Sequence, residues 1–248
     1  MKAIKRALGP SKPPKESRTL ESYVVRDPSH VTRMADRTTW YGRSHSYWSH
    51  VPSTVAGMLD GHDNLSRPDL ISSAMFLGEL YKDREKGLAV DCGSGIGRVT
   101  AGLLLPLFDQ VDMVDTAREH LDRSREYMGE ELFARVPTQH CTGLQDFYPP
   151  PDTYHLVWIQ WVIIYLSDYD FIALLRRLKG SLKSGGCIVV KDNVSKTGSV
   201  WNGRDGSMTR STSQLREIFK KAGVEVVTEG KQTGFPKDLY KVKYFALN

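Results

Sequence analysis

The amino-acid sequence predicts an α/β fold: a Rossmann-like, seven-stranded, mostly parallel sheet with an antiparallel last strand, helices on both faces, and a helical extension on the N-terminal side. Three observations carry this. The stretch Leu88-Ala-Val-Asp91-Cys-Gly93-Ser-Gly95-Ile-Gly97-Arg98 reads as a buried strand that ends on an acid and runs through a glycine-rich turn into a helix. Val111-Asp-Met-Val-Asp115 is a second short strand, ending on an acid 24 residues after Asp91. Beyond it, strand-like and helix-like segments alternate, as a doubly wound sheet requires.

Taken in order, Ile96, Val99, Leu103 and Leu104 recur at helical spacing after the glycine turn. A helix follows near 117–128, a short strand near 138–142, and Tyr154-His-Leu-Val-Trp-Ile-Gln160 as the central strand. The pattern over 168–182 predicts a helix, with Gly185-Gly186 at its C-terminal stop, and 187–191 is the fifth strand. A helix over 211–222 and strands near 224–228 and 239–246 complete seven strands. The last two, joined by a connection carrying Gly234 and Pro236, read as a hairpin, which puts one antiparallel strand into the sheet.

With 248 residues, 40% hydrophobic and 25% charged, the chain can bury one full α/β core with a small decoration. No run of 18 apolar residues occurs, so no membrane span is expected. Cys92, Cys141 and Cys187 lack metal-ligand spacing and read as small buried hydrophobes in a reducing compartment, with no disulfide framework and no metal. A cytoplasmic or nuclear location is the expectation. The net charge of +5 is concentrated at one end: residues 1–30 hold seven Lys/Arg against three Asp/Glu, and the remainder 27 against 26. The near-neutral remainder argues against a nucleic-acid partner. Residues 1–30, with Pro10, Pro13, Pro14 and Pro28, are expected to form a disordered, solvated basic tail rather than a targeting helix.

The glycine spacing selects among nucleoside cofactors. Gly93, Gly95 and Gly97 make G-x-G-x-G, and Arg98 stands where a dinucleotide fold places its third glycine. S-adenosylmethionine (SAM) has no pyrophosphate to seat, and its ammonium suits Asp91 or the backbone of the loop. Asp115 arrives at the spacing that delivers a carboxylate to ribose hydroxyls, though it can also cap the helix after Ala117. Ligands in such sheets bind at the carboxyl ends of the strands, which gives weight to Leu144, Gln145, Gln160, Trp161 and Asn193, with Asp146 also readable as a turn former.

Asp91-Cys-Gly-Ser-Gly-Ile-Gly-Arg98, Gly143-Leu-Gln-Asp-Phe147, Trp158-Ile-Gln-Trp-Val162 and Val190-Lys-Asp-Asn193 closely resemble the eukaryotic protein α-N-terminal methyltransferases, a class I SAM-dependent family, over about 47–247. That resemblance implies methylation of the free α-amine of proteins that begin, after methionine removal, with a small residue followed by Pro-Lys. It implies a SAM site from Gly93, Arg98, Asp115, Thr116, Ala117, Leu144, Gln145 and Gln160, where Arg98 can grip the methionine carboxylate bidentately. For the substrate peptide it implies Trp48 and Trp161 as aromatic walls and Leu59, Leu65 and Leu239 beside the proline. Asn193, Asn202, Asp205 and Tyr240 fall on positions that engage the first residues. Ordinary packing remains an alternative role for Trp48 and Trp161. Asp205 is the expected proton acceptor, with Asn193 holding the first residue in place. The organisation expected is a tail over 1–30, a helical cover over 31–84, and a catalytic core over 85–248 whose insertion 194–210 is a mobile flap over the substrate.

The sequence departs from the family twice. Trp161-Val-Ile-Ile-Tyr165 puts tyrosine where the family has a histidine, so Tyr165 is expected to orient the amine rather than take its proton. Asn202 replaces one of two acids spaced three apart, which predicts a weaker preference for lysine at the third substrate position. Two other readings stand beside this one: a methyltransferase acting on a small molecule or nucleic acid, and a SAM-binding adaptor without catalysis, for which Tyr165 is the argument.

Overall fold

The computed structural model describes residues 23–25 and 37–248. The strand with the most apolar run, β5 (Tyr154–Gln160), is buried along its whole length and lies parallel between β2 (Leu88–Cys92) and β6 (Leu182–Val194). β3 (Gln110–Asp115) and β4 (Gln139–Cys141) extend the parallel sheet on one side. On the other side β10 (Lys241–Leu247) runs antiparallel to β6 and carries β9 (Val226–Lys231) as an antiparallel edge, giving the order β4-β3-β2-β5-β6-β10-β9. Strands buried on both faces read as continuous Val/Ile/Leu runs, as the sequence of β5 and β6 does.

Two apolar layers sandwich the sheet. On one face Val90, Val157, Ile188 and Phe245 pack against Phe171, Leu174 and Phe219. These aromatic and leucine residues come from α6 (Asp168–Gly180) and α7 (Thr212–Ala222). On the other face Ala89, Met113, Leu156 and Trp158 pack against Leu103, Leu104, Leu77 and Tyr81. Leu77 lies on α3 (Ser66–Leu80), and Leu121 of α4 (Arg118–Met128) joins the same layer. The helix ends are set by side-chain caps. Ser167 Oγ accepts from Asp170 N at 3.1 Å at the start of α6. Ser211 and Gln214 exchange hydrogen bonds at 3.3 and 3.0 Å at the start of α7.

Over the carboxyl ends of the strands lies a cover. It comprises α1 (Arg37–Ser49), the short α2 (Val55–Met58) and a hairpin of β7 (Ser199–Asn202) and β8 (Ser207–Thr209), while α3, packed on the sheet face, reaches the strand ends with its first turn alone. The hairpin is widened by β1 (Tyr23–Val25), which pairs antiparallel with β7. Another short helix, α5 (Glu130–Phe133), follows α4. Among the described residues no helix is long and apolar enough to cross a membrane.

Several sequence expectations are corrected. Tyr23–Val25, read as part of a disordered tail, forms a strand; the rest of 1–30 lies outside the described residues, as does 31–36 of the helical cover. The insertion 194–210, expected as a mobile flap, contains the β7–β8 hairpin. Helix α6 stops at Gly180, and Gly185-Gly186 lie inside β6. The register between β5 and β6 shifts there, and a Cβ on Gly186 would stand 2.9 Å from the Tyr154 carbonyl oxygen, so the pair admits close backbone approach in a strand instead of ending a helix. The turn after Gly97 closes through a π-helical segment, Thr100–Leu104. Cys92 and Cys187 are buried, but Cys141, at the end of the edge strand β4, is exposed.

Candidate functional site

A cavity of about 1000 Å³ opens where β2, β3, β5 and β6 end, between those ends and the cover. Gly93, Arg98, Asp115, Thr116, Leu144, Gln145, Gln160 and Trp161 line one part; Trp48, Leu59, Leu65, Tyr165, Asn193, Asn202, Asp205, Leu239 and Tyr240 line the other. Of the residues weighed from sequence, Ala117 and Asp146 stay outside; Ala117 is buried and contributes its backbone N–H to Asp115.

The glycine turn is shaped as a cradle. Gly93 has φ +77°, and a Cβ there would lie 2.8 Å from the Val162 Cβ, an atom fixed by its own backbone. Asp115 spans the turn and the next helix: its Oδ2 accepts from Gly95 N at 2.8 Å and its Oδ1 from Ala117 N at 2.9 Å. Enclosure raises the Asp115 carboxyl above the usual range, and those two amides oppose the rise. Asp91 does not reach the cavity as a free group: its Oδ2 accepts from Thr100 Oγ1 at 2.7 Å, and burial lifts it to about 6.

The centre of the site is an ionic cluster. Asp69, on the first turn of α3, is fully buried. It accepts from Arg98 at 2.8 Å, from Gln160 Nε2 at 3.0 Å on each oxygen, and from the Lys191 ammonium. Burial alone would raise its pKa, but Lys191 and Arg98 prevail and hold it below the usual value. Lys191 is also buried; desolvation brings it down to about 8 against the pull of Asp69. Gln160 Oε1 accepts from Trp158 Nε1 at 3.0 Å, so the amide is fixed at both ends. The cluster holds two cations and one anion, and Arg98 lines the cavity with the excess positive charge.

The aromatic walls are held by the same residues. Trp161 takes φ 54°, rare for a large side chain, with Arg98 and Lys191 at 5.9 and 5.5 Å from its ring and Phe235 stacked at 6.4 Å. Its Nε1 is buried with no acceptor among the described residues. Trp48 stands edge-on to Tyr165 at 5.9 Å and to His120 at 6.4 Å. Asp205 Oδ1 accepts from Ser207 N at 3.0 Å and Ser207 Oγ at 2.8 Å, while Oδ2 has only a long bond of 3.4 Å from Tyr165 Oη. Burial raises the Asp205 carboxyl, and enclosure beside Asp205 pushes the Tyr165 phenol well above its usual value, so tyrosine stays neutral. Asn202 Oδ1 turns back to Arg204 N at 3.1 Å.

Sequence reasoning missed Asp69, Asp60, His120 and Arg204. An acid in the first turn of a helix is ordinarily a dipole partner facing solvent, so Asp69 carried no signal of burial. His120 is buried with Nδ1 2.8 Å from Ser53 Oγ, a contact between segments far apart in sequence. Lys191 stood inside a recognised motif but had no role assigned.

These residues fit SAM. Asp115 presents a carboxylate beside a cradle that a Cβ at Gly93 would fill, and the surplus positive charge of Asp69, Arg98 and Lys191 is completed by one carboxylate.

Known proteins carry the same features. The sequence description of the AdoMet-dependent proline di-methyltransferases matches residues 36–248. The N-terminal Xaa-Pro-Lys N-methyltransferase 1 of Danio rerio is 44% identical over 216 residues, 86% of this chain and 96% of that protein, and the human protein of that name is 42% identical over the same shares. A SAM-dependent methyltransferase from Leishmania major superposes with a TM-score of 0.81 at 33% identity, covering 86% of this chain and 85% of its own. A Burkholderia thailandensis N-methyltransferase solved with S-adenosylhomocysteine (SAH) shares the fold, with a TM-score of 0.69 at 16% identity over 96% and 98% of the two chains. The cradle, the acid at the end of β3 and a match running from the cover to the last strand lead to one conclusion: the chain belongs to the AdoMet-dependent proline di-methyltransferase family.

Proposed function

We propose that this chain methylates the free α-amine of protein N-termini that begin Xaa-Pro-Lys after removal of the initiator methionine, using SAM. The observation that carries the reading is one cavity joining a nucleoside cradle at Gly93 and Asp115 to an aromatic chamber bounded by Trp48, Trp161, Asn193 and Asp205. Relatives named for Xaa-Pro-Lys N-methylation support it. Free cysteines without a disulfide agree with residence in the cytoplasm or nucleus.

SAM supplies an electrophilic methyl on a sulfonium. Asp115 would hold the ribose hydroxyls, Arg98 the carboxylate and the backbone around Leu144 and Gln145 the adenine. The α-amine has a pKa of about 7.7–8.0 and must lose its proton to offer a lone pair. Asp205 takes it: Ser207 occupies one carboxylate oxygen, and the other is the less encumbered acceptor. The neutral Tyr165 phenol donates to that carboxylate and orients it. Asn193 holds the first residue, while the indoles of Trp48 and Trp161 receive the proline ring, an apolar, rigid group that loses little rotamer entropy.

Incubating the protein with SAM and the peptides Ser-Pro-Lys, acetyl-Ser-Pro-Lys and Ser-Ala-Lys, followed by mass spectrometry, tests the reading. Only the first should gain mass. Equal modification of the acetylated peptide would overturn the α-amine assignment.

A further inference from the structure

We infer that Asp60, on the loop after α2, sets the specificity for lysine at the third substrate position. This deepens the proposed function and rests on it. Among the described residues four carboxylates line the cavity: Asp60, Asp91, Asp115 and Asp205. Asp91 is engaged by Thr100, Asp115 bridges Gly95 and Ala117 in the cradle, and Asp205 stands at the amine. Asn202, where a second acid of the flap was expected, is an amide whose oxygen is taken by Arg204 N. Asp60 is the carboxylate that remains for a substrate cation.

Its position suits that task. A second, more open groove of about 960 Å³ shares Arg43, Tyr47, Asp60 and Arg204 with the main cavity, so these four side chains form the neck through which a peptide leaves. Tyr47 follows the wall formed by Trp48, whose ring meets it edge-on at 5.5 Å. The Tyr47 phenol feels the charges of Asp60, Arg204 and Asp205, which places the chamber and the neck around one ring. Both arginines of the neck have partners other than Asp60: Arg43 Nη1 donates to Gly203 O at 2.9 Å, and Arg204 lies 5.5 Å over the Tyr47 ring. A peptide with its amine at Asp205 and its proline between the indoles therefore brings its third side chain to the one acid of this neck. The carboxylate comes from the loop after α2, whereas Asn202 ends β7 of the hairpin.

Steady-state kinetics with Ser-Pro-Lys, Ser-Pro-Gln and Ser-Pro-Glu peptides test this on the wild type, Asp60→Asn and Asp60→Gly. Glycine keeps the backbone, because Asp60 has φ 49°. The preference for Lys over Gln in kcat/KM should fall by about three- to fivefold in both variants, through KM, because the pair is exposed at the mouth and screened. The rate on the Gln peptide and the affinity for SAH should stay at wild-type levels, and added salt should erode the preference of the wild type but not of the variants. An unchanged Lys/Gln ratio in both variants overturns the inference alone. Failure of the wild type to methylate any of the three peptides overturns the proposed function, and the inference with it.

Discussion

Gln160 Nε2 lies 3.0 Å from both carboxylate oxygens of Asp69, joining the last residue of the central strand to the first turn of α3. Arg98 and Lys191 converge on the same carboxylate, so the glycine turn, the sheet and α3 meet at one buried anion.

Asp69→Ala should therefore be costly twice over. It leaves Arg98 and Lys191 buried without a counter-charge, a loss of about 3–5 kcal/mol in urea unfolding. It also frees Arg98 and Gln160 from fixed positions in the cavity wall. Titration with SAH should show weakened binding even well below the unfolding transition. Wild-type SAH affinity in a folded Asp69→Ala protein would show that Asp69 does not position the cofactor site.

Asp205→Asn should lower kcat by roughly 10²–10⁴ through loss of the proton acceptor, with SAH binding intact. Near-wild-type turnover would exclude Asp205 as the base.

Tyr165→Phe tests the bond between Tyr165 and Asp205. The phenol donates to the ionised carboxylate and holds its pKa down against burial, so its loss should raise the Asp205 pKa further. Asp205 accepts a proton only when ionised, so the acid limb of kcat/KM should move to higher pH. The variant should be slowed more at pH about 6 than at pH about 8. Parallel profiles for the two proteins would contradict the coupling.

Gly93→Ala places a Cβ 2.8 Å from Val162 Cβ at φ +77°. Strain of this kind costs of order 1–3 kcal/mol, which thermal denaturation would register as a lower Tm, with SAH affinity falling alongside. A variant as stable as the wild type would mean that the turn relaxes more freely than its packing implies.

Asp192 gives a pH signature. It is fully buried beside Asn193, its Oδ2 has no partner among the described residues, and burial raises it to about 7. The folded chain then holds a proton that the unfolded chain releases near its ordinary carboxyl pKa, so stability falls as pH rises from about 4 to about 7 and levels off above. Asp91, raised to about 6, acts with the same sign. Tm measured between pH 5 and 8 should decline in the wild type and decline less in Asp192→Asn. An identical slope in the two proteins would rule out Asp192 as a contributor.

What was legible in the sequence was whatever depends on neighbours along the chain. The glycine turn, the acid ending β3, the run of β5 and the helical stretches that became α6 and α7 are local patterns, and each fell close to where its pattern placed it. The ionic cluster was not legible, because Asp69, Arg98, Gln160 and Lys191 come from four elements and only folding makes them neighbours. Gly185-Gly186 misled for a related reason: two glycines after a helix look like a stop, and only the carbonyls of β5 show that they serve a strand. The β7–β8 hairpin was hidden because its Gly, Ser and Asn residues are those of loops, and its partner β1 lies far away in sequence.

The pairing of Tyr23–Val25 with Ser199–Asn202 bears on how a shortened version of this protein would behave. The family match begins at residue 36, which makes that point an obvious place to start a truncated chain. Such a chain would lose β1 and turn β7 from an inner strand into a bare edge beside the cavity. Unpaired N–H and C=O groups in that setting recruit other backbones. Self-association, or trapping of extended peptides along the hairpin, is the artefact to look for before activity data from a trimmed protein are compared with those from the full sequence.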